Sequence, residues 1–393
     1  MTVSEASGPL RVALVHRIFA HVGGSERDLI DVGRYLAGRG HDVHVHCARF
    51  RAAPEPWFRA HRLPDSRFGR IRRYRQLLAG ARRVAVDGYD VVVGFGRTLG
   101  QDLYRCEGGT HKDYVEVVAR IEGRPVRLSA YDRLILDVER RLFTSEAPIR
   151  VVALSNLVRD EIHRTYGFPR ERIEVVTNGV DLVRFHPANR ERHRATVRAE
   201  LGIAETAAVV LFVGIGWERK GLAAILEAVA ARPGHRLVIA GRDRDDRKFR
   251  ALAERLGVAG RCSFLGARDD LERFFAASDL LVLASFQEAF GNVVLEGLAS
   301  GLPVVATSSV GAVDLLTGAL AEGIVAGDAS GASVGAAIDR VLALGGPAAL
   351  GAAARAAAEP HGVEAMGARM EAVVREVAIA KREARGQPRL AGG

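Results

Sequence analysis

Cysteine is scarce. The 393 residues hold three, Cys47, Cys106 and Cys262, far apart and in no paired spacing. An odd, scattered set argues against a disulfide framework and a cysteine zinc cluster, and it fits a reducing compartment. Long apolar runs are also missing. None looks like the roughly 18 uninterrupted apolar residues of a membrane span. The uncharged stretch Gly297–Val313 is broken by Gly, Pro and Ser, which suits a sheet-and-helix core better. The opening MTVSEASGPL has neither the basic start nor the apolar centre of a secretory signal. No GxGxxG is found where a dinucleotide site would need one. Ser, His and Asp stand in no defensible triad order. His44 and His46 alternate along one stretch without a third ligand nearby in the sequence. Packing is therefore the expectation for them, and no metal is expected. Neither a nucleic-acid-binding module nor interleaved aromatic residues are present. The expected location is cytoplasmic.

What is present is globular in composition, 48% hydrophobic and 26% charged, and too long for one ordinary core, so two domains are the starting expectation. The charge is uneven. Residues 1–190 hold 32 basic and 23 acidic side chains, while the remainder balances at 24 of each. Part of the excess lies in RFGRIRRYRQLLAGARR, residues 67–83, with seven arginines. Tyr74, Leu77, Leu78 and Ala81 give this segment an apolar stripe at helical spacing. Such a helix suits an anionic membrane surface, here the inner face of the cell membrane, or an anionic acceptor. It equally suits a solvated arginine-rich face.

Along the chain, RVALVH (11–16), DVHVHC (42–47), DVVVGF (90–95), RVVAL (150–154) and IEVV (173–176) read as strands. The loop RIFAHVGG and a helix over Ser25–Ala37 separate the first two. The polar segment NGVDLVRFHPANRERH reads as a connector. The alternation then restarts with strands at AVVLFVG (208–214), RLVIAG (236–241), CSFLG (262–266), LLVLA (280–284) and PVVAT (303–307). Helical patterns fill the intervals over Leu222–Ala231, Asp246–Leu256, Leu271–Ala276 and Asn292–Ala299. Near-continuous Val/Leu/Ile strands are what a parallel sheet covered on both faces requires. The expected fold is α/β, with two Rossmann-like doubly wound domains facing a cleft. Their bounds are 1–185 and 186–360, followed by a C-terminal amphipathic helix and tail over 361–393.

In open α/β sheets, ligands sit outside the carboxyl ends of the strands. The loop after 280–284 reads SFQEAFGNVVLE and places Glu288 and Glu296 around a Phe-Gly-Asn turn at a helix start. Gly291 permits close approach, Asn292 is a favourable cap, and the helix start attracts an anion. The two acids suit sugar or ribose hydroxyls rather than phosphate. Helix-start acids favouring the dipole account for Glu296 only in part and leave Glu288 unexplained. GIGWERKG (214–221) follows the strand at 208–214, and Arg219 with Lys220 can neutralise a diphosphate. HVGGSERD (21–28) offers Gly23 and Gly24 as a second backbone approach.

These stretches, together with LSNLVRDEI and TNGVDLVRFHP, resemble the retaining glycosyltransferases of family four, the two-Rossmann-domain type. Residues 245–305, with VGFGRTLGQDLY and GGSERD, are most similar to the lipopolysaccharide core glucosyltransferases. The resemblance implies the GT-B architecture, with a C-terminal helix returning to the first domain. It implies a nucleoside diphosphate hexose donor, UDP-glucose favoured, and a saccharide acceptor on a cell-envelope glycolipid. Transfer would proceed with retention and without a required metal. By position, Glu288 would hold the sugar and Glu296 the ribose. Ala289, Phe290, Gly291 and Asn292 would line the donor, and Arg219 and Lys220 would bind the diphosphate. Gly23 and Gly24 would close on it, and Gly266–Arg268 would lie near the base. Asp28, Asp102 and His111 would lie near the donor or acceptor. Gly108 stands where the subgroup tends to carry an acid, and TNGVD follows the general class rather than the subgroup. Three rival readings share these residues: a nucleotide-sugar epimerase, a glycosidase using Glu288 and Glu296, and a non-catalytic two-lobed binder.

Overall fold

Runs of Val, Leu and Ile become the central strands of two parallel sheets in the computed structural model, which describes residues 8–21, 24–327 and 329–386. The chain divides into two units. The first holds the residues up to Ala119, then Pro125–Gly179 and everything from Val363 on; the second holds Arg120–Arg124 and Val180–Gly362. The chain passes from first to second unit at Gly179–Val180, a few residues before position 185, and returns at Gly362–Val363. Val180 N–H donates to the His361 carbonyl at 3.0 Å, and Val180 bridges Gly362. The two ends of the second unit therefore meet.

In the first unit the strands are β1 (Arg11–Phe19), β2 (Asp42–Phe50), β3 (Arg59–Arg62), β4 (Val91–Gly94), β5 (Leu103–Cys106), β6 (Arg150–Ala153) and β7 (Ile173–Val175). They pair in parallel in the order β3-β2-β1-β4-β5-β6-β7. The helices are α1 (Gly24–Gly38), α2 (Arg70–Val84), α3 (His111–Ile121), α4 (Ala130–Phe143) and α5 (Asn156–Tyr166). Alternation along β1 sends Val12 and Leu14 to one face and Ala13 and Val15 to the other. The first face packs on Leu29, Val32 and Leu36 of α1, and on Met366, Met370, Val374 and Val377 from the C-terminal segment. The second face packs on Leu77, Ala81 and Val84 of α2, with Tyr74 alongside. The apolar stripe of residues 67–83 is therefore spent on the core, and solvent receives most of the arginines.

The second unit contains α6 (Asn189–Glu200), β8 (Ala208–Val213), α7 (Leu222–Ala230), β9 (His235–Ala240), α8 (Asp246–Arg255) and β10 (Cys262–Gly266). It continues with α9 (Leu271–Ala277), β11 (Leu280–Leu283), α10 (Asn292–Ala299), β12 (Val304–Thr307), β13 (Ile324–Val325), α11 (Gly331–Ala343) and α12 (Gly346–Ala358). The sheet order is β10-β9-β8-β11-β12-β13, all parallel. The segment read as a connector is helical from Asn189. The pull is electrostatic: Arg190, Arg194 and Arg198, one turn apart, reach the Asp279 carboxylate at 3.0, 3.1 and 2.7 Å. The last helix, α13 (Val363–Ala384), supplies the methionine and valine face packed in the first unit. Among the described residues no single helix is long and apolar enough to cross a membrane.

Candidate active site

Strand numbering reverses direction between β8 and β11 in the second sheet, the kind of switch point at which open α/β sheets hold ligands. The β8 loop carries Arg219 and Lys220, and the β11 loop carries Glu288. Lys220 Nζ lies 2.6 Å from Glu288 Oε2, and Arg219 Nη1 lies 3.2 Å from the same oxygen. Arg219 Nη1 also donates to the Gln287 carbonyl, while Phe286 N–H donates to the Arg219 carbonyl at 2.9 Å. The two loops thus clasp each other. Burial pushes the Glu288 carboxyl up, but Lys220 and then Arg219 outweigh it and hold the group below the usual glutamate value. Glu288 is therefore an anion near neutral pH and a poor proton donor.

Two glycines make the clasp possible. Gly221 caps α7 with φ +71°, and a Cβ there would stand 2.1 Å from the Ala284 carbonyl oxygen at the end of β11. Gly291 caps α10 with φ +95°, and its Cβ would meet Val310 and Leu283 side chains at 3.0 and 3.3 Å. The cap of α10 is thus Gly291, with Asn292 the first helical residue, where asparagine had been the expected cap. Glu288 N–H donates to the Ser309 carbonyl at 2.9 Å and its carbonyl accepts from Gly311 N–H at 3.0 Å, which fixes the loop from below. Ala289 lies in the same loop, and the Phe290 carbonyl accepts from Ala312 N–H at 2.8 Å. Glu296 is buried in the second turn of α10. Trp217, fully enclosed, anchors the β8 loop by donating to the Gly214 carbonyl at 3.0 Å.

The other expected residues lie on other elements. Gly266 ends β10, two strands from β8. The exposed Arg268 beyond it is committed to Asp270, at 2.6 Å between Nη2 and Oδ2. In the first unit Gly24 opens α1, whereas Gly23 lies outside the described residues. Asp28 is enclosed within α1. Burial and then Glu107 push its carboxyl well above the usual range, while Arg105, 2.7 Å from Glu107, pulls it down. Asp102 requires correction. It lies just before β5 and accepts from Lys381 Nζ at 2.6 Å and Val92 N–H at 2.8 Å. It pins α13 to the sheet, on the side away from the strands' carboxyl ends. His111 starts α3 after β5, its Nε2 3.1 Å from Asp132 Oδ1 and its backbone N–H held by Glu139 at 2.7 Å. Burial, then Arg97, lowers its pKa, which favours the neutral ring.

Sequence reasoning missed the frame behind His111. Arg97 pairs with Glu139 at 2.7 Å and donates to the Gly109 carbonyl at 2.6 Å. Glu161 accepts from Thr110 N–H at 2.6 Å, and burial lifts its carboxyl to about 7. The one available signal was LSNLVRDEI, which carries Glu161 on α5.

The chain matches Glycosyltransferase Family 4 over residues 22–184 and Glycosyl transferases group 1 over residues 193–357. It is 30% identical over 297 residues to lipopolysaccharide glucosyltransferase WaaG of Escherichia coli (strain K12), covering 74% of this chain and 78% of the relative. A crystal structure of WaaG, a glycosyltransferase involved in lipopolysaccharide biosynthesis, gives a TM-score of 0.78 at 25% identity, covering 92% of this chain and 99% of that one. Anabaena Alr3699/HepE in complex with UDP-glucose gives 0.70 at 19% identity over 93% and 100% of the two chains, a likeness of fold. Family matches in both units, a relative aligned along most of its length and two parallel sheets of the expected kind agree: the chain belongs to the family-four glycosyltransferases and has the GT-B fold.

Proposed function

We propose that this glycosyltransferase moves a hexose, glucose favoured, from a UDP-linked donor to a saccharide on a cell-envelope glycolipid, with retention at the anomeric carbon. The reading rests on one observation: Arg219 and Lys220 converge on Glu288 where the second sheet reverses its strand order. Two cations, already positioned, suit a diphosphate, and a carboxylate held ionised beside them suits the hexose hydroxyls. Gly291 and the start of α10 favour the phosphates, and Glu296 the ribose. The names of the relatives support the choice of sugar and acceptor: WaaG is a lipopolysaccharide glucosyltransferase, and Alr3699/HepE is described with UDP-glucose.

In this reading the acceptor hydroxyl attacks the anomeric carbon as the bond to the β-phosphate oxygen breaks. The proton passes from the acceptor to that leaving oxygen on the same face, and Arg219 and Lys220 stabilise the charge that develops there. Transfer calls for no metal. In the glycosidase alternative Glu288, held low, could serve only as the ionised partner, and Glu296 would have to be the acid; cleavage of a simple glycoside without nucleotide would favour that reading. The first unit would bind the acceptor, with neutral His111 available as a hydrogen-bonding group. The exposed arginines of 67–83, among them Arg70, Arg72 and Arg75, would meet anionic groups at the cytoplasmic face of the membrane by charge alone.

The test is a panel of nucleotide sugars scored for thermal stabilisation and slow donor hydrolysis. UDP-glucose should stabilise the wild type and leave Lys220→Gln unmoved. Equal stabilisation of both would remove the site from consideration. Conversion of donor to its epimer without acceptor would replace transfer by isomerisation.

A further inference from the structure

Three histidines from two strands meet on one face of the first sheet. His44 and His46 are two residues apart on β2, so their side chains leave the same face. Parallel pairing sets His61 of β3 beside His46. The sequence offered no third ligand close to His44 and His46; β3 supplies one. One nitrogen from each ring lies within 4.8 Å of the other two. His44 Nδ1 and His61 Nε2 are 2.8 Å apart. The Tyr89 hydroxyl stands 2.9 Å from His46 Nε2 and 3.2 Å from His44 Nδ1. Around a tetrahedral zinc ion with bonds of about 2.0–2.1 Å, ligand nitrogens stand roughly 3.4 Å apart. The contacts of 2.8–3.2 Å are shorter than that, and the His61 ring stacks on those of His44 and His46, with centroids 5.0 and 4.4 Å away, so the rings must spread and turn to admit an ion.

Asp42 supplies a second observation. Its Oδ2 is 3.0 Å from His44 Nε2. That contact favours the proton on Nε2 and leaves the Nδ1 lone pair directed at His61 and Tyr89, the carboxylate–imidazole arrangement that orients metal-binding histidines. Arg59 and Arg11 also approach Asp42, at 3.4 and 3.9 Å, and the Arg11 guanidinium lies over the Tyr89 ring. These are the cations a metal would have to tolerate, and Asp42 offsets them.

We propose that His44, His46 and His61 bind one divalent cation of the zinc class, with the Tyr89 hydroxyl in the fourth position. Binding exchanges the imidazole–imidazole hydrogen bond, and the one between the Tyr89 hydroxyl and the ring nitrogens, for bonds to the metal. A neutral His61 needs only to move its proton from Nε2 to Nδ1, so no net proton is released from the rings. Asp42 opens β2 and Tyr89 precedes β4, so the site lies towards the strands' amino ends, away from the carboxyl rim where such sheets hold substrates. Its work is that of a cross-link joining the edge strand β3 to β2 and to the turn before β4.

The experiment uses untagged full-length protein stripped by a chelator, then titrated with Zn2+ by calorimetry and with Co2+ by visible absorption. One equivalent should bind with Kd below about 1 μM. Cobalt should develop the intense bands of a tetrahedral site, and zinc should raise the melting temperature. His61→Gln, on a half-buried edge position, should keep the native circular dichroism and lose at least about 100-fold in affinity, and Asp42→Asn should lose about 10- to 100-fold. Stoichiometric binding that is the same in wild type and both variants would overturn the proposal. So would wild-type binding no tighter than that of His61→Gln.

Discussion

Lys220 lies between a carboxylate and the place proposed for a diphosphate, and its removal leaves Arg219 as the partner of Glu288. Lys220→Gln should lower transfer by at least about 100-fold, the loss typical when a charge-stabilising donor is removed, and Glu288→Ala should abolish it. Turnover with a fixed acceptor, measured beside the thermal midpoint, separates this from unfolding. Activity near wild type in a folded variant would contradict the assignment. Glu161 supports a separate prediction. With its carboxyl lifted by burial to about 7, the folded chain keeps a proton that the unfolded chain releases at the ordinary glutamate value of 4.5. The stabilisation is therefore complete below the lower value and is lost as pH rises through the upper one. Glu161→Gln can still accept from Thr110 and should remove this slope. Denaturant melts at about pH 5 and about pH 8 should show the variant gaining on wild type at the higher pH. The motifs that build the candidate site could be read at this scale. EAFGNVVLE and GWERKG lie on loops after apolar strands, where residue type and position speak together. The direct Lys220–Glu288 contact could not be read, because nothing in a linear sequence says that β8 and β11 are neighbours. Asp102 misled for a related reason: its partner, Lys381, lies on a helix far along the chain.

Elements carry the next set of consequences. Helix α7 begins at a residue where any side chain collides with a backbone carbonyl, so Gly221→Ala should destabilise the chain by about 1–3 kcal/mol. It should also weaken donor-induced stabilisation by displacing Arg219 and Lys220. Chemical denaturation and the UDP-glucose thermal shift measure the two effects, and an unchanged pair of values would count against the strained cap. At the other end of the chain, Lys381 is almost wholly enclosed where it meets Asp102. Lys381→Met leaves that half-buried carboxylate with one partner fewer and should cost up to about 3 kcal/mol. Restoration by a second change, Asp102→Asn, would identify the ion pair as the cause. Three of the elements missed in the sequence share a feature. β3 is RAHR and β5 is LYRC, both without the apolar run that marks a central strand, and they exist through pairing with β2, β4 and β6. α6 is polar along its length and is fixed by three arginines focused on Asp279. Pattern rules register burial, and these elements are held by partners instead.

For the whole molecule, the two-domain plan was legible because strand-and-helix alternation stops at a polar segment and restarts. The allocation of chain to units was less so. Amphipathicity marked α13 as a helix with a buried face, but only packing shows that its methionines and valines complete the core of the first unit. The first unit therefore cannot finish folding until residues from Val363 on are available, because in sequence most of the second unit is inserted between its segments. A fragment spanning 180–362 should fold cooperatively by itself and still be stabilised by UDP, as differential scanning fluorimetry would register. A fragment without a thermal transition would show that the division is not energetic.

The pairing of Val180 with Gly362 makes this part of the chain a cassette. Both of its ends leave from one spot, so a homologous module could be exchanged at the same two peptide bonds, and under the proposed function donor preference would travel with it.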